Sequence, residues 1–180
     1  KSPEKIGQWA KLLGEVEFDV YDDGFPTHYT MGIAAQMVEA GDAPRFTEGI
    51  FRHFHRREDF DTRLAVCHQA QALLDSKAHR QLILATQVVA SYVQLASALW
   101  DIAHLHAHGE LGKPKCQQQL AATSSKLAKA GQTNTDAIVA WRRHLGDEPW
   151  AHRVHDAIGA TQTTVARILS HISDQHSDLI

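Results

Sequence analysis

Apolar residues recur at alternating steps of three and four along the C-terminal half of the chain. One such stripe comprises Leu82, Ala85, Val89, Tyr92, Ala96, Leu99 and Ala103, and a second comprises Val154, Ile158, Thr161, Val165, Ile168 and Ile172. This spacing keeps the stripe on one face of a helix, as in helices that pack lengthwise against partners. The pattern therefore predicts an all-α fold: an antiparallel helical bundle with three long C-terminal helices and shorter N-terminal helices.

Glycine and proline mark the ends of the three long helices. Gly112-Lys113-Pro114 and Gly146-Asp147-Glu148-Pro149 divide the pattern into helices predicted over residues 77–108, 114–145 and 148–176. Such short links make neighbouring helices antiparallel. Gly131 lies inside the middle helix, and both a break there and a continuous helix fit the sequence.

The N-terminal half gives weaker signals. Trp9, Leu12 and Leu13 share one helical face, and residues 16–24 have an irregular pattern that ends in an acidic turn. Further helices are predicted over 27–40, 44–57 and 60–74, with Pro44 in a first turn. We expect one domain over residues 1–180, with residues 1–26 as its least regular segment.

Charge and cysteine content limit the classes of partner. The net charge of −3 gives no reason to expect a nucleic acid or an anionic membrane as partner. The two cysteines, Cys67 and Cys116, form no C-x-x-C pair, which favours reduced thiols and a cytoplasmic location.

One uncharged stretch, residues 82–100, is long enough to cross a membrane. It also carries polar residues that would be costly against lipid, namely Thr86, Gln87, Ser91, Gln94 and Ser97. We therefore expect a buried central helix rather than a membrane span.

Thirteen histidines are the most unusual feature of the composition. The predicted topology brings five of them to one end of the bundle: His104, His106, His108, His171 and His176. Because histidines three or four residues apart on a helix can share a ligand, these residues are candidates for a zinc, nickel or iron site. Solvent-exposed histidines at helix ends are the alternative interpretation.

Residues 154–169 have a second possible meaning. Their apolar positions around Gly159 are compatible with a helix-turn-helix that would present Gln162, Thr163 and Arg167 to a DNA groove. An unbroken bundle helix through Gly159 fits the same residues. The sparse positive charge of this segment favours the bundle helix.

No spacing of residues indicates a catalytic, nucleotide-binding or dinucleotide-binding motif. Four aromatic residues in or beside the long helices, Tyr92, Trp100, Trp141 and Trp150, could line a ligand pocket or fill the core. The sequence thus favours a non-enzymatic module with a sensory, regulatory or protein-binding role, acting on a protein partner or a small-molecule ligand or as a homodimer. A histidine-based metal-binding protein and a helix-turn-helix regulator are the alternatives.

Overall fold

The computed structural model describes residues 3–16, 26–110, 113–146 and 151–176, with the backbone alone described at 151–155 and 176. Within these ranges the chain forms no strand and has six α-helices with one 3-10 turn, Gly49–Phe51. The helices are α1 (Pro3–Gly14), α2 (His28–Ala40), α3 (Glu58–Ala72), α4 (Arg80–His108), α5 (Pro114–Leu145) and α6 (Ala151–His176). The predicted all-α bundle with three long C-terminal helices is confirmed.

Contacts between side chains give the directions of the long helices. Ser91 of α4 pairs with Asn134 of α5, and Asp101 of α4 pairs with Lys126, so α4 and α5 are antiparallel. Gly131 of α5 lies against Val165 of α6, and Asn134 of α5 contacts Thr161 of α6. Because residues later in α5 contact residues earlier in α6, these two helices are antiparallel as well.

Helix α2 packs alongside α6 in the parallel direction. His28 lies near Gly159, and Glu39, eleven residues later, forms an ion pair with Arg167. Short links force antiparallel packing only between neighbours in sequence. The parallel pairing of α2 with α6 is possible because more than a hundred residues separate them.

Helix α4 is the centre of the bundle, since α3 and α5 pack along it and α2 also contacts it. Two of its buried polar residues donate to carbonyl groups of the same helix: Thr86 to that of Leu82 and Ser91 to that of Val88. In the described part of the chain it is the one helix long and apolar enough to cross a membrane, but 72% of that apolar window is buried inside the bundle. This burial accords with the core helix expected from the sequence.

A polar layer crosses the interface of α4, α5 and α6. Asn134 donates to the Ser91 hydroxyl at 3.2 Å and accepts from the Thr161 hydroxyl at 3.3 Å. All three side chains are buried, with at most 2% of their surface exposed. Because a shift of one helix would leave these groups unpaired, the layer favours a single register of the three helices.

The helix predicted over residues 44–57 is wrong. Thr47 and Gly49 have left-handed backbone angles, with φ of 66° and 54°, and this region contains only the 3-10 turn. The irregular path lets Phe46 stack on Trp100 with ring centroids 3.7 Å apart, while Phe51 meets the same indole edge-on. A regular helix would point these two phenylalanines about 140° apart.

The open question at Gly131 is settled in favour of a continuous helix. α5 runs from Pro114 to Leu145 without a break. A Cβ atom at Gly131 would lie 3.0 Å from a methyl group of Val165. Glycine at this position therefore allows α6 to approach α5 closely.

Candidate ligand-binding groove

A groove of about 320 Å³ runs between α3 and α5, with α4 beneath it. Its apolar floor is formed by Phe60 and Leu64 of α3, Val93 of α4 and Ala130 of α5. The volume falls in the range of about 300–1,000 Å³ that is usual for small-molecule sites. The remaining lining residues are polar or charged: Asp61, Gln94, Ser97, Lys126, Lys129 and Thr133.

The sequence of α5 explains why the groove is open. The helix carries small or polar residues at most positions away from its narrow buried stripe, and Ala130 contributes only a methyl group to the floor. Both α3 and α5 pack on α4. The space above α4 is therefore filled only as far as the side chains on the facing sides of α3 and α5 reach into it. Small side chains on one wall leave that space unfilled.

Two lysines form the α5 rim of the groove. Lys126 pairs with the Asp101 carboxylate at 2.6 Å, and the same carboxylate accepts from Arg57 Nε at 3.0 Å. Among the described residues, Lys129 has no ion-pair partner. On the opposite rim Asp61 is well exposed and lies 3.7 Å from Arg57. Together, Arg57, Lys126 and Lys129 carry one more charge than the carboxylates of Asp61 and Asp101.

Gln94 and Ser97 project from α4 into the same space. Ser97 is 8% exposed, and Gln94 is half-buried. Neither side chain is hydrogen-bonded to another of the residues that the structure describes. Both can therefore donate to and accept from a molecule in the groove, and such polar groups in an apolar site fix a ligand's orientation.

Three of the four aromatic residues predicted to line a pocket lie outside this groove. Tyr92 is buried and donates its hydroxyl to the Ile50 carbonyl at 3.2 Å, and burial raises the pKa of Tyr92. Trp100 packs on Phe46, whereas Trp141 belongs to a separate small core cluster. Trp150 lies outside the described residues. Tyr92, Trp100 and Trp141 are thus placed in the core, and none of them lines the groove.

The histidines at the end of α4 point in two directions. His104 and His108 lie on the exposed face with ring centroids 4.7 Å apart. His106 is turned inward, where it is 9% exposed and meets the His171 ring at 5.7 Å. Residues two apart on a helix differ by about 200° in direction, so His106 cannot join the pair on the exposed face.

No group of three or more histidine, cysteine or acidic side chains that could hold a metal is found in the described part of the chain. The side chain of His176 lies outside the described residues. Because structural zinc usually takes four protein ligands and catalytic zinc three, the two observed pairs do not by themselves make such a site. The metal site stays a prediction.

The helix-turn-helix geometry is not formed by residues 154–169. The backbone of α6 is continuous over Ala151–His176, so it lacks the turn that a helix-turn-helix would place near Gly159. Gln162 and Thr163 are exposed, while Arg167 is engaged by Glu39 of α2. Val165, Ile168 and Ile172 of α6 are buried in the bundle instead.

Searches with this chain against models of protein families, curated proteins and solved structures found no match. The assignment of the groove therefore depends on the contacts, burial and charges of its own residues.

The groove residues were not singled out as a site by the sequence, although part of the signal was there. Gln94 and Ser97 are two of the polar residues of a mainly apolar helix, and they are three residues apart and so on one face. Lys126 and Lys129 have the same spacing on α5. What the sequence does not show is that α3 leaves this side of α4 uncovered.

Proposed function

We propose that this chain is a non-enzymatic binding module with a sensory or regulatory role, and that it takes a small-molecule ligand in the groove between α3 and α5. The observation that carries the proposal is the combination of an apolar floor with two polar side chains, Gln94 and Ser97, that have no hydrogen-bond partner among the described residues. Sites of this composition bind ligands through burial of apolar surface and gain specificity from a few hydrogen bonds.

The state of Cys67 argues against nucleophilic catalysis by this thiol. Cys67 of α3 is fully buried, and desolvation raises its pKa to about 11. A thiol with this pKa is protonated at neutral pH, and the thiolate is the reactive form. Cys67 therefore acts as a small apolar residue of the core.

A ligand in this groove has a direct route to a regulatory effect. It would touch Leu64 on α3 and Ala130 on α5, two helices that each pack on α4. Binding therefore fixes the position of α3 relative to α5, and at a concentration of one hundred times Kd it stabilises the folded state by about 2.7 kcal/mol. The accompanying change at α3 would reach α1, which packs on α3.

The proposal is tested by filling the groove from its rim. Thr133 is exposed and lines the groove, so Thr133→Trp places an indole there without enlarging the core. Gln118→Trp adds the same side chain at an exposed position on α5 outside the groove and is the matched control. The probe is anilinonaphthalene sulfonate, whose fluorescence increases in apolar sites.

We expect saturable binding of the probe to the wild-type protein and to Gln118→Trp, and at least about tenfold weaker binding to Thr133→Trp, since about 1.4 kcal/mol of lost contact is a factor of ten. Circular dichroism checks that both variants keep the helical content. Equal binding by both variants, or no saturable binding by the wild-type protein, would refute the proposal.

A further inference from the structure

We infer that the ligand of this groove is an amphipathic anion, a single carboxylate on an unbranched apolar tail, bound as a free molecule from solution. The inference rests on the proposed function and specifies the chemistry of the ligand. The observation behind it is the placement of Lys129 beside an apolar floor with no acidic partner among the described residues.

The two lysines of the rim are not equivalent. Lys126 is held by Asp101, which is in turn held by Arg57, so its charge is largely compensated within the protein. Lys129 lies one helical turn further along the same rim and has no acidic partner in the part of the chain that the structure describes. An incoming carboxylate therefore finds its attractive partner at Lys129, with Lys126 as a second positive charge nearby.

The acidic residue of the other rim does not cancel this preference. Asp61 is 81% exposed at its side chain and is within 3.7 Å of Arg57, so it is both solvated and partly paired. Among the described residues of the rim, Asp61 is the one acidic partner for a cationic ligand, which Lys129 would repel. The charge around the groove thus selects against amines.

The floor determines the rest of the ligand. Phe60, Leu64 and Val93 offer apolar contact along α3 and α4, where burial contributes about 25 cal/mol for each Å² of apolar surface. A volume of about 320 Å³ has room for one short chain and not for a folded peptide. This size argues for a monomeric ligand with one tail.

The experiment compares three ligands that share a tail and differ in the head group: octanoate, octanol and octylammonium. Isothermal titration calorimetry gives Kd, and amide chemical shifts of Gln94 and Ser97 in nuclear magnetic resonance spectra locate the binding. We expect octanoate to bind most tightly, octanol more weakly and octylammonium most weakly. About 1 M salt, where the Debye length is about 3 Å, should remove most of the difference between octanoate and octanol.

Lys129→Gln should weaken octanoate binding by about fivefold, the effect of losing one exposed charge interaction of about 1 kcal/mol, and should leave octanol binding unchanged. Lys115→Gln is the control, because it removes an exposed lysine from the same helix about 21 Å away. It should change neither Kd.

The outcomes separate this inference from the proposed function. If all three ligands bind equally and Thr133→Trp abolishes their binding, the groove is a binding site but not one for anions, and the inference is overturned alone. Tighter binding of octylammonium than of octanoate would overturn it in the same way. If none of the three ligands shifts the amides of Gln94 and Ser97 while anilinonaphthalene sulfonate still binds, the inference alone is overturned; if anilinonaphthalene sulfonate does not bind either, both proposals fail.

Discussion

The buried polar layer of Asn134, Ser91 and Thr161 allows a quantitative test of the bundle. Asn134→Ala removes two hydrogen bonds, of 3.2 and 3.3 Å, from a side chain with no exposed surface. Each such bond contributes about 0.5–1.5 kcal/mol. The cavity left by the missing amide adds about 1 kcal/mol. We therefore expect the free energy of unfolding to fall by about 2–4 kcal/mol.

The assay is urea unfolding followed by circular dichroism. With a slope of about 2 kcal/mol per molar urea, this loss lowers the unfolding midpoint by about 1–2 M. Gln118→Ala, at an exposed position on the same helix, serves as control and should change stability by less than about 0.5 kcal/mol. A loss for Asn134→Ala as small as that of the control would refute the role assigned to the layer.

A second variant separates hydrogen bonding from packing. The triple variant Ser91→Ala, Asn134→Leu and Thr161→Val removes all polar side-chain groups of the layer, so none of them is left unpaired. Because an all-apolar replacement of similar shape is often neutral or stabilising, this variant should be more stable than Asn134→Ala alone. If it is less stable, packing rather than unpaired polar groups accounts for the loss.

Three further predictions concern single positions. Gly32→Ala should stabilise the protein by about 0.5–1 kcal/mol, because a Cβ there meets no atom within 4 Å. Gly131→Ala should be neutral or destabilising, because its Cβ would lie 3.0 Å from α6. Thermal unfolding of both variants checks this, and equal gains in stability would contradict it. Cys67, with a pKa of about 11, should react with a thiol reagent at pH 8 only at the rate of unfolding, and fast reaction of this residue in the folded protein would show that it is accessible. The hydrogen bond from Arg167 lowers the pKa of Glu39 below 4.5, so the pair stabilises the fold fully above about pH 4.5 and less as the pH falls through the lowered pKa. Glu39→Gln should therefore cost at most about 1 kcal/mol at pH 7 and nothing at pH 2, measured by urea unfolding, and an equal cost at both pH values would exclude the ion pair as its cause.

The long helices were predictable because their signals are local. The stripe from Leu82 to Ala103 repeats over several turns, and Pro114 is best tolerated in the first turn of a helix. The bounds of α4 and α5 therefore lie within a few residues of the predicted ones. α6 follows the same logic, and its unbroken path through Gly159 is the bundle alternative that the sequence already favoured.

The segment from Pro44 to Arg57 could not be predicted in the same way. Its conformation depends on Phe46 and Phe51 reaching the Trp100 ring, about fifty residues away in sequence. Gly49 also lies so close to α2 that a Cβ would be 2.9 Å from the Thr30 carbonyl. Tertiary contacts of this kind override local helical preference.

The candidate site was the least predictable feature. The sequence makes Trp100 and Trp141 candidates for a pocket because they are large and aromatic, yet both side chains fill the core. An open site forms where side chains are small. The groove depends on Ala130 and on the separation of α3 from α5, and that separation is a property of the assembled bundle.

The parallel contact of α2 with α6 has a consequence for the order of folding. Glu39 and Arg167 are 128 positions apart, whereas Asp101 and Lys126 at the contact of α4 with α5 are 25 positions apart. Loop closure entropy makes the first contact costlier by about 1.4 kcal/mol when nothing else is formed. By the same measure α6 joins α5 early, since Asn134 and Thr161 are only 27 positions apart. The chain therefore gains by pairing α4, α5 and α6 first, and the contact of α2 with α6 forms last.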